Sequence, residues 1–90
     1  MNPYMLSSEN DSFHSIAEFK ECIIRGGEPV FTWNGICYGV CFHESVYCIA
    51  NIDGSREKIC ANPDEVLEYM VGTDRLRDVI TKVDVLGRTI

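Results

Sequence analysis

Residues 28–52 read EPVFTWNGICYGVCFHESVYCIANI, and the dipeptide Asn34-Gly35 is their pivot. A two-residue type I′ turn needs positive φ at both central positions, which Asn tolerates and Gly accepts freely. With that loop, Trp33 stands opposite Ile36, Phe31 opposite Tyr38 and Thr32 opposite Cys37. The period of two then places Phe31, Trp33, Ile36, Tyr38, Val40 and Phe42 on one face. The other face carries Val30, Thr32, Cys37, Gly39, Cys41 and His43, continued by Cys48, Ala50 and Ile52. Aromatic cross-strand pairs add about 0.2–1 kcal/mol each, which pins this register. Glu44-Ser45 reads as the next turn, residues 46–52 as a third strand, and Asp53-Gly54 as a turn into a short fourth strand near Arg56 to Cys60. The expectation is an antiparallel meander of three to four strands.

Outward from the meander, Ser15 and Glu18 form a capping-box pattern at the start of a helix. Phe13, Ile16, Ala17, Phe19, Ile23 and Ile24 fall on one arc, with Glu18, Glu21 and Arg25 opposite. Gly26-Gly27 stops that helix. Beyond the meander, Asn62-Pro63-Asp64-Glu65 is a strong helix start, joining a cap, a first-turn proline and two acids at the positive dipole end. Val66, Leu67, Met70 and Val71 are expected on the apolar side of this helix, and Gly72 ends it. Thr73-Asp74 reads as the cap of another helix, with Leu76, Val79 and Ile80 inward and Arg75, Arg77, Asp78 and Lys82 outward. Val83 to Leu86 alternates like a last short strand. The fold class is α+β: an N-terminal tail over 1–11, then a single domain over 12–90.

Ninety residues, 46% of them hydrophobic, support one domain with a real core and exclude a disordered chain. No run reaches the roughly 18 apolar residues of a membrane-spanning helix, and the first ten residues lack the pattern of a signal peptide. The expected location is the cytoplasm, with no membrane partner. Acids and bases are interspersed, giving a net charge of −6 without the basic stripe of a nucleic-acid binder. Five cysteines, an odd number without framework spacing, read as small buried residues rather than disulfides.

The run FKECIIRGGEPVFTWNGICY, Phe19 to Tyr38, and the tail NPDEVLEYMVGTDRLRDVITKVDV, Asn62 to Val85, resemble small proteins of Gram-positive bacteria and their phages. In those proteins a helix ends in a glycine pair and leads into a β-hairpin. The resemblance implies this fold and a mobile-element origin; it carries no catalytic residues.

Chemistry has few candidates. Cys37 and Cys41 share a face, but at 3.3 Å per residue they lie about 13 Å apart, too far for one zinc ion. Cys41, His43 and a cross-strand Cys48 are the better metal or small-molecule cluster, without knuckle spacing. Cys41 and His43 as a thiolate–imidazole pair would stand parallel instead of converging. Gly26-Gly27 lacks the helix and lysine of a phosphate loop, and Asp53-Gly54 lacks the further acids of a calcium loop. No catalytic residue, metal or cofactor is therefore expected.

Both faces of the sheet are too apolar for a sheet wetted on one side. Four strands present about 300–400 Å² per face, and the helices suffice for one face only. Phe31, Trp33, Tyr38 and Phe42 have the bulk for the helix side. Val30, Thr32, Cys37, Cys41, Val46 and Ile52 are then the candidate interaction face, to be covered by the N-terminal tail, a second copy or a target protein. The function expected is a non-enzymatic, acidic protein–protein interaction module, of the mobile-element kind that inhibits a host nucleic-acid-handling enzyme, as anti-CRISPR proteins do. The alternatives are a metal- or small-molecule-binding domain using Cys41, His43 and Cys48, and a structural homodimer, for which small residues on a flat face are suited.

Overall fold

The computed structural model describes residues 12–88; the expected tail over 1–11 lies outside them. Helix α1 (Ile16–Ile24) starts where Ser15 Oγ accepts the Glu18 N–H at 3.1 Å, and Glu18 in return accepts the His14 N–H at 2.7 Å. It ends in a Schellman motif: Gly27 N–H donates to Cys22 C=O at 2.9 Å and Gly26 N–H to Ile23 C=O at 3.1 Å. The chain then enters β1 (Val30–Trp33), β2 (Ile36–His43), β3 (Val46–Asn51) and β4 (Lys58–Cys60). After one helical turn, α2 (Pro63–Val66), comes a small hairpin of β5 (Met70–Val71) and β6 (Asp74–Arg75). A second turn, α3 (Leu76–Val79), leads to β7 (Asp84–Gly87).

Five strands form one sheet in the order β4-β3-β2-β1-β7, each pair antiparallel. The register across Asn34-Gly35 is the expected one, with Trp33 opposite Ile36 and Phe31 opposite Tyr38. Strand β7 closes the sheet beside β1, with Val85 opposite Phe31. The helices lie on one face. Phe19 and Ile23 from α1, Val66 and Leu67 at α2, and Leu76, Val79 and Ile80 at α3 pack with Phe31, Tyr38, Val40, Ile49 and Val85 of the sheet. Phe31 stacks on Tyr38 at 5.6 Å between centroids, and Tyr69 meets Tyr38 edge-on at 6.1 Å. No buried side-chain polar atom lacks a partner among the described residues.

Several expectations are corrected. The helix begun at Asn62 lasts one turn, although its cap is as read: Asn62 Oδ1 accepts the Glu65 N–H at 3.0 Å. Met70 and Val71 leave the helical path and pair with Asp74 and Arg75, so Gly72 (φ 73°) is a hairpin residue and Met70 is exposed. Thr73-Asp74 does not cap α3; Arg75 occupies that place without a side-chain bond, and Asp74 Oδ2 instead accepts the Trp33 Nε1–H at 3.1 Å. On α1, Ala17 and Ile24 face solvent while Cys22 is buried, because the helix meets the core on a narrower stripe than its apolar arc. Of the aromatic face, Phe31 and Tyr38 are buried and Trp33 half-buried. Phe42 and Ile36 are exposed, since β2 is eight residues long and both its ends pass the helical cover.

Candidate functional site

The face away from the helices is built in rows, because antiparallel partners in register put their side chains side by side. Gly39 lies opposite Val30 on β1 and opposite Ala50 on β3. This central row of small side chains is the floor of a trough running across the strands. One wall is Thr32 and Cys37, which are opposite each other, and Ile52, whose N–H donates to Cys37 C=O at 2.9 Å. The other wall is Cys41 opposite Cys48, and Cys48 opposite Ile59. The groove proper measures about 340 Å³ and lies between Cys41 and Cys48 on one side and Ile52 on the other, with Glu28 and Glu57 among its lining residues; Thr32, Cys37 and Ile59 flank it without lining it.

Gly39 is what makes the floor low. A Cβ built there would sit 3.5 Å from Ile52 Cδ1, ordinary contact with the tip of a flexible side chain, and its φ is not positive. Neither sterics nor backbone conformation therefore demands glycine at this point. The walls are open: Ile52 is 60% and Ile59 55% exposed, and Leu86 on β7 is 53% exposed.

Of the residues expected on this face, Val30, Thr32, Cys37 and Val46 are half-buried and Cys41 and Ile52 exposed. Val30 belongs to the floor, Thr32, Cys37, Cys41 and Ile52 to the walls, and Val46 sits beyond Cys48, opposite His43. Ala50 is on the surface as expected, opposite Gly39; Glu57 and Ile59 complete it and were not singled out in the sequence. Their place depends on how residues 52–57 connect β3 to β4. That connection is a six-residue loop with Gly54 and Arg56 at positive φ, not a two-residue turn, and composition does not give its register.

Charge divides the molecule. On the helix side, Lys20 pairs with Asp64 at 2.9 Å, Arg77 with Glu68 at 2.6 Å, and Arg75 with Asp78 at 3.3 Å. Lys58 donates to Glu65 C=O, and the Arg56 charge acts on Tyr38 and Tyr69. On the open side Glu28 and Glu57 line the trough, and Asp84, opposite Thr32, shares its face. The rim is acidic.

Cys41 and Cys48 face each other across β2 and β3, and burial, with Cys41 beside it, pushes the Cys48 thiol up. His43 is two residues further along β2, and its Nε2 meets Glu44 Oε2 at 3.0 Å, so the strand does not gather it with the two thiols. All five cysteines are free thiols. Among the described residues no three His, Cys, Asp or Glu side chains converge as metal ligands, and no helix is long and apolar enough to cross a membrane. Comparison with protein-family models, with curated proteins and with solved structures gave no match.

Proposed function

We propose that this chain is a non-enzymatic protein-interaction module whose partner docks on the open face of the sheet. One observation carries this reading: the sheet is apolar on both sides, and the described helices all lie on one. An exposed apolar surface with a charged rim is the usual mark of a binding site, whereas single scattered hydrophobes are not. Here Ile52, Ile59 and Leu86 stand over a floor of Val30, Gly39 and Ala50. The acidic balance, together with the resemblance to small phage and bacterial proteins, favours a partner with a basic, nucleic-acid-handling surface, and blockade by occupation as the mode of action.

The test is site-specific photo-crosslinking in the cells that produce the protein. A photoreactive residue at Ile52, on the trough wall, is compared with one at Ile24, equally exposed at 60% but on the helix side. A discrete protein adduct at Ile52, absent at Ile24 and suppressed by Cys41→Asp, is the expected result. Circular dichroism should show Cys41→Asp folded, because that side chain is already in solvent. Equal labelling at both positions, or none at Ile52, overturns the proposal.

A further inference from the structure

We infer that Cys41 and Cys48 form a reversible dithiol–disulfide site, oxidised to a cross-strand bond by low-molecular-weight disulfides. The site lies on one wall of the groove and does not depend on what docks there. Cys41 on β2 and Cys48 on β3 are register partners, so their side chains stand side by side on the open face. The other three thiols have no cysteine opposite them: Cys37 faces Thr32, Cys60 faces Tyr47, and Cys22 is buried on α1.

Strand geometry permits the bond and keeps it weak. Ile52 N–H donates to Cys37 C=O at 2.9 Å, so those residues form a hydrogen-bonded pair, and such pairs recur at every second residue of an antiparallel ladder. Gly39 and Ala50 are the next such pair, and Cys41 and Cys48 the one after. In a hydrogen-bonded pair the Cα atoms are about 5.5 Å apart, inside the roughly 4.4–6.8 Å that a disulfide spans. The Cβ atoms stand at the wide end of about 4.5–5.5 Å, against the roughly 3.5–4.5 Å of a relaxed disulfide. Closure must therefore draw the strands together by about 1 Å, and the resulting strain makes the bond easy to reduce. It is suited to opening and closing, not to stapling the fold.

Exposure sets the order of events. Cys41 is exposed and Cys48 is only 9% exposed, so Cys41 is the thiol that meets a reagent in solution. Its thiolate attacks one sulfur of the reagent RS–SR. A Cys41–SR bond forms, and the departing RS⁻ takes up the proton that Cys41 released. Cys48 then attacks the Cys41 sulfur as its thiolate and expels the second RS⁻, which takes up the proton from Cys48. Two protein thiols lose two electrons to become one disulfide, and RS–SR gains them to become two RSH. Burial pushes the Cys48 thiol up, so it is slow towards reagents in solution and acts once Cys41 holds the target sulfur beside it.

The test uses the full chain under native conditions in buffers of 2-hydroxyethyl disulfide and 2-mercaptoethanol, an uncharged couple. Intact mass, and peptide maps made after alkylating the remaining thiols, identify the products. The wild type is expected to lose the mass of two hydrogens through a Cys41–Cys48 link and to regain it when the buffer is shifted to the thiol. Cys22 and Cys60 should stay unreacted throughout, because both are buried. Cys48→Ser should stop at a mixed disulfide on Cys41. Cys41→Ser changes a side chain already in solvent, and reaction at Cys48 should then fall about tenfold or more. Where circular dichroism shows Cys48→Ser unfolded, the wild-type map and Cys41→Ser decide the matter.

A link to Cys37, a link between two chains, or a Cys41 mixed disulfide that persists in the wild type overturns the inference. So does undiminished reaction of Cys48 in Cys41→Ser. A Cys41–Cys48 bond that forms only in denaturant, or that the native chain keeps in excess 2-mercaptoethanol, overturns it as well.

Discussion

Left-handed backbone angles mark both ends of β2, and the residues that hold them are not equally suited. At one end are Asn34 (φ 52°) and Gly35 (φ 80°), the pair that closes a type I′ turn at least strain. At the other are Glu44 (φ 50°) and Ser45 (φ 70°), with Cβ atoms that crowd the following carbonyl. Asn-Gly in place of Glu44-Ser45 should therefore stabilise the domain by about 0.5–1 kcal/mol, a gain limited by the freedom glycine adds to the unfolded chain. In a domain of this size that is roughly 2–6 °C in Tm. Gly35→Val should do the opposite and cost more than about 1 kcal/mol. Thermal melts of the two variants beside the wild type measure both, and an unchanged or inverted order would refute the assignment of strain. Gly39 differs from these glycines. It is extended and uncrowded, so its effect falls on the shape of the open face and not on the folding of the strand.

Elements divide according to how local their causes are. The β1–β2 hairpin, the Ser15 cap, the glycine stop of α1 and the Asn62 cap are each decided within a few residues, and those were legible in the sequence. The stretch after Val66 was not, because its apolar residues at 66, 67, 70 and 71 satisfy a helix as well as a turn plus a hairpin. What decides it is tertiary: Leu76 N–H donates to Tyr69 C=O at 2.8 Å and Arg77 N–H to Leu67 C=O at 2.9 Å, bonds a continued helix would not make. Asp74 binds the small hairpin to the main sheet through Trp33 Nε1, a contact across 41 residues of sequence. Of the candidate face, the residues of β1 and β2 were legible from one turn, while Glu57 and Ile59 waited on the loop that sets β4. Asp74→Ala should cost about 1 kcal/mol, the net value of a partly buried hydrogen bond. Trp33 is the chain's one tryptophan, so its emission reports the surroundings of this contact. A lower denaturation midpoint with altered native emission is expected; an unchanged spectrum and midpoint would show that the hairpin is held by Val71 and Leu76 without it.

Taken whole, the described residues place the thiols of Cys22, Cys48 and Cys60 and the hydroxyls of Tyr38 and Tyr69 in the core and no carboxylate there, which gives the stability a direction with pH. Burial pushes the thiols of Cys22 and Cys60 up; for Cys22, Arg88 opposes the shift, and for Cys60, Lys58 does. Cys48 is raised by burial first and by Cys41 next. Tyr38 and Tyr69 are raised by burial, against the nearby Arg56. In the unfolded chain a thiol ionises near about pH 8.5 and a phenol near about pH 10. Each group is an acid that is neutral when protonated, and its folded pKa lies above its unfolded one. Above the unfolded value the unfolded chain therefore holds fewer protons, and stability falls as pH rises. The stabilisation is complete below about pH 8 and is lost through the thiol range and then the phenol range. Melting temperatures measured under reducing conditions should accordingly be level from about pH 6.5 to 8 and decline from about pH 9 onward. Cys22→Ala and Cys60→Ala together should lower the plateau, since they leave small cavities, yet flatten the first part of the decline. A decline of unchanged steepness in that double variant would assign the alkaline loss to the tyrosines or to the chain's net charge of −6, and would separate the buried thiols from the pH response.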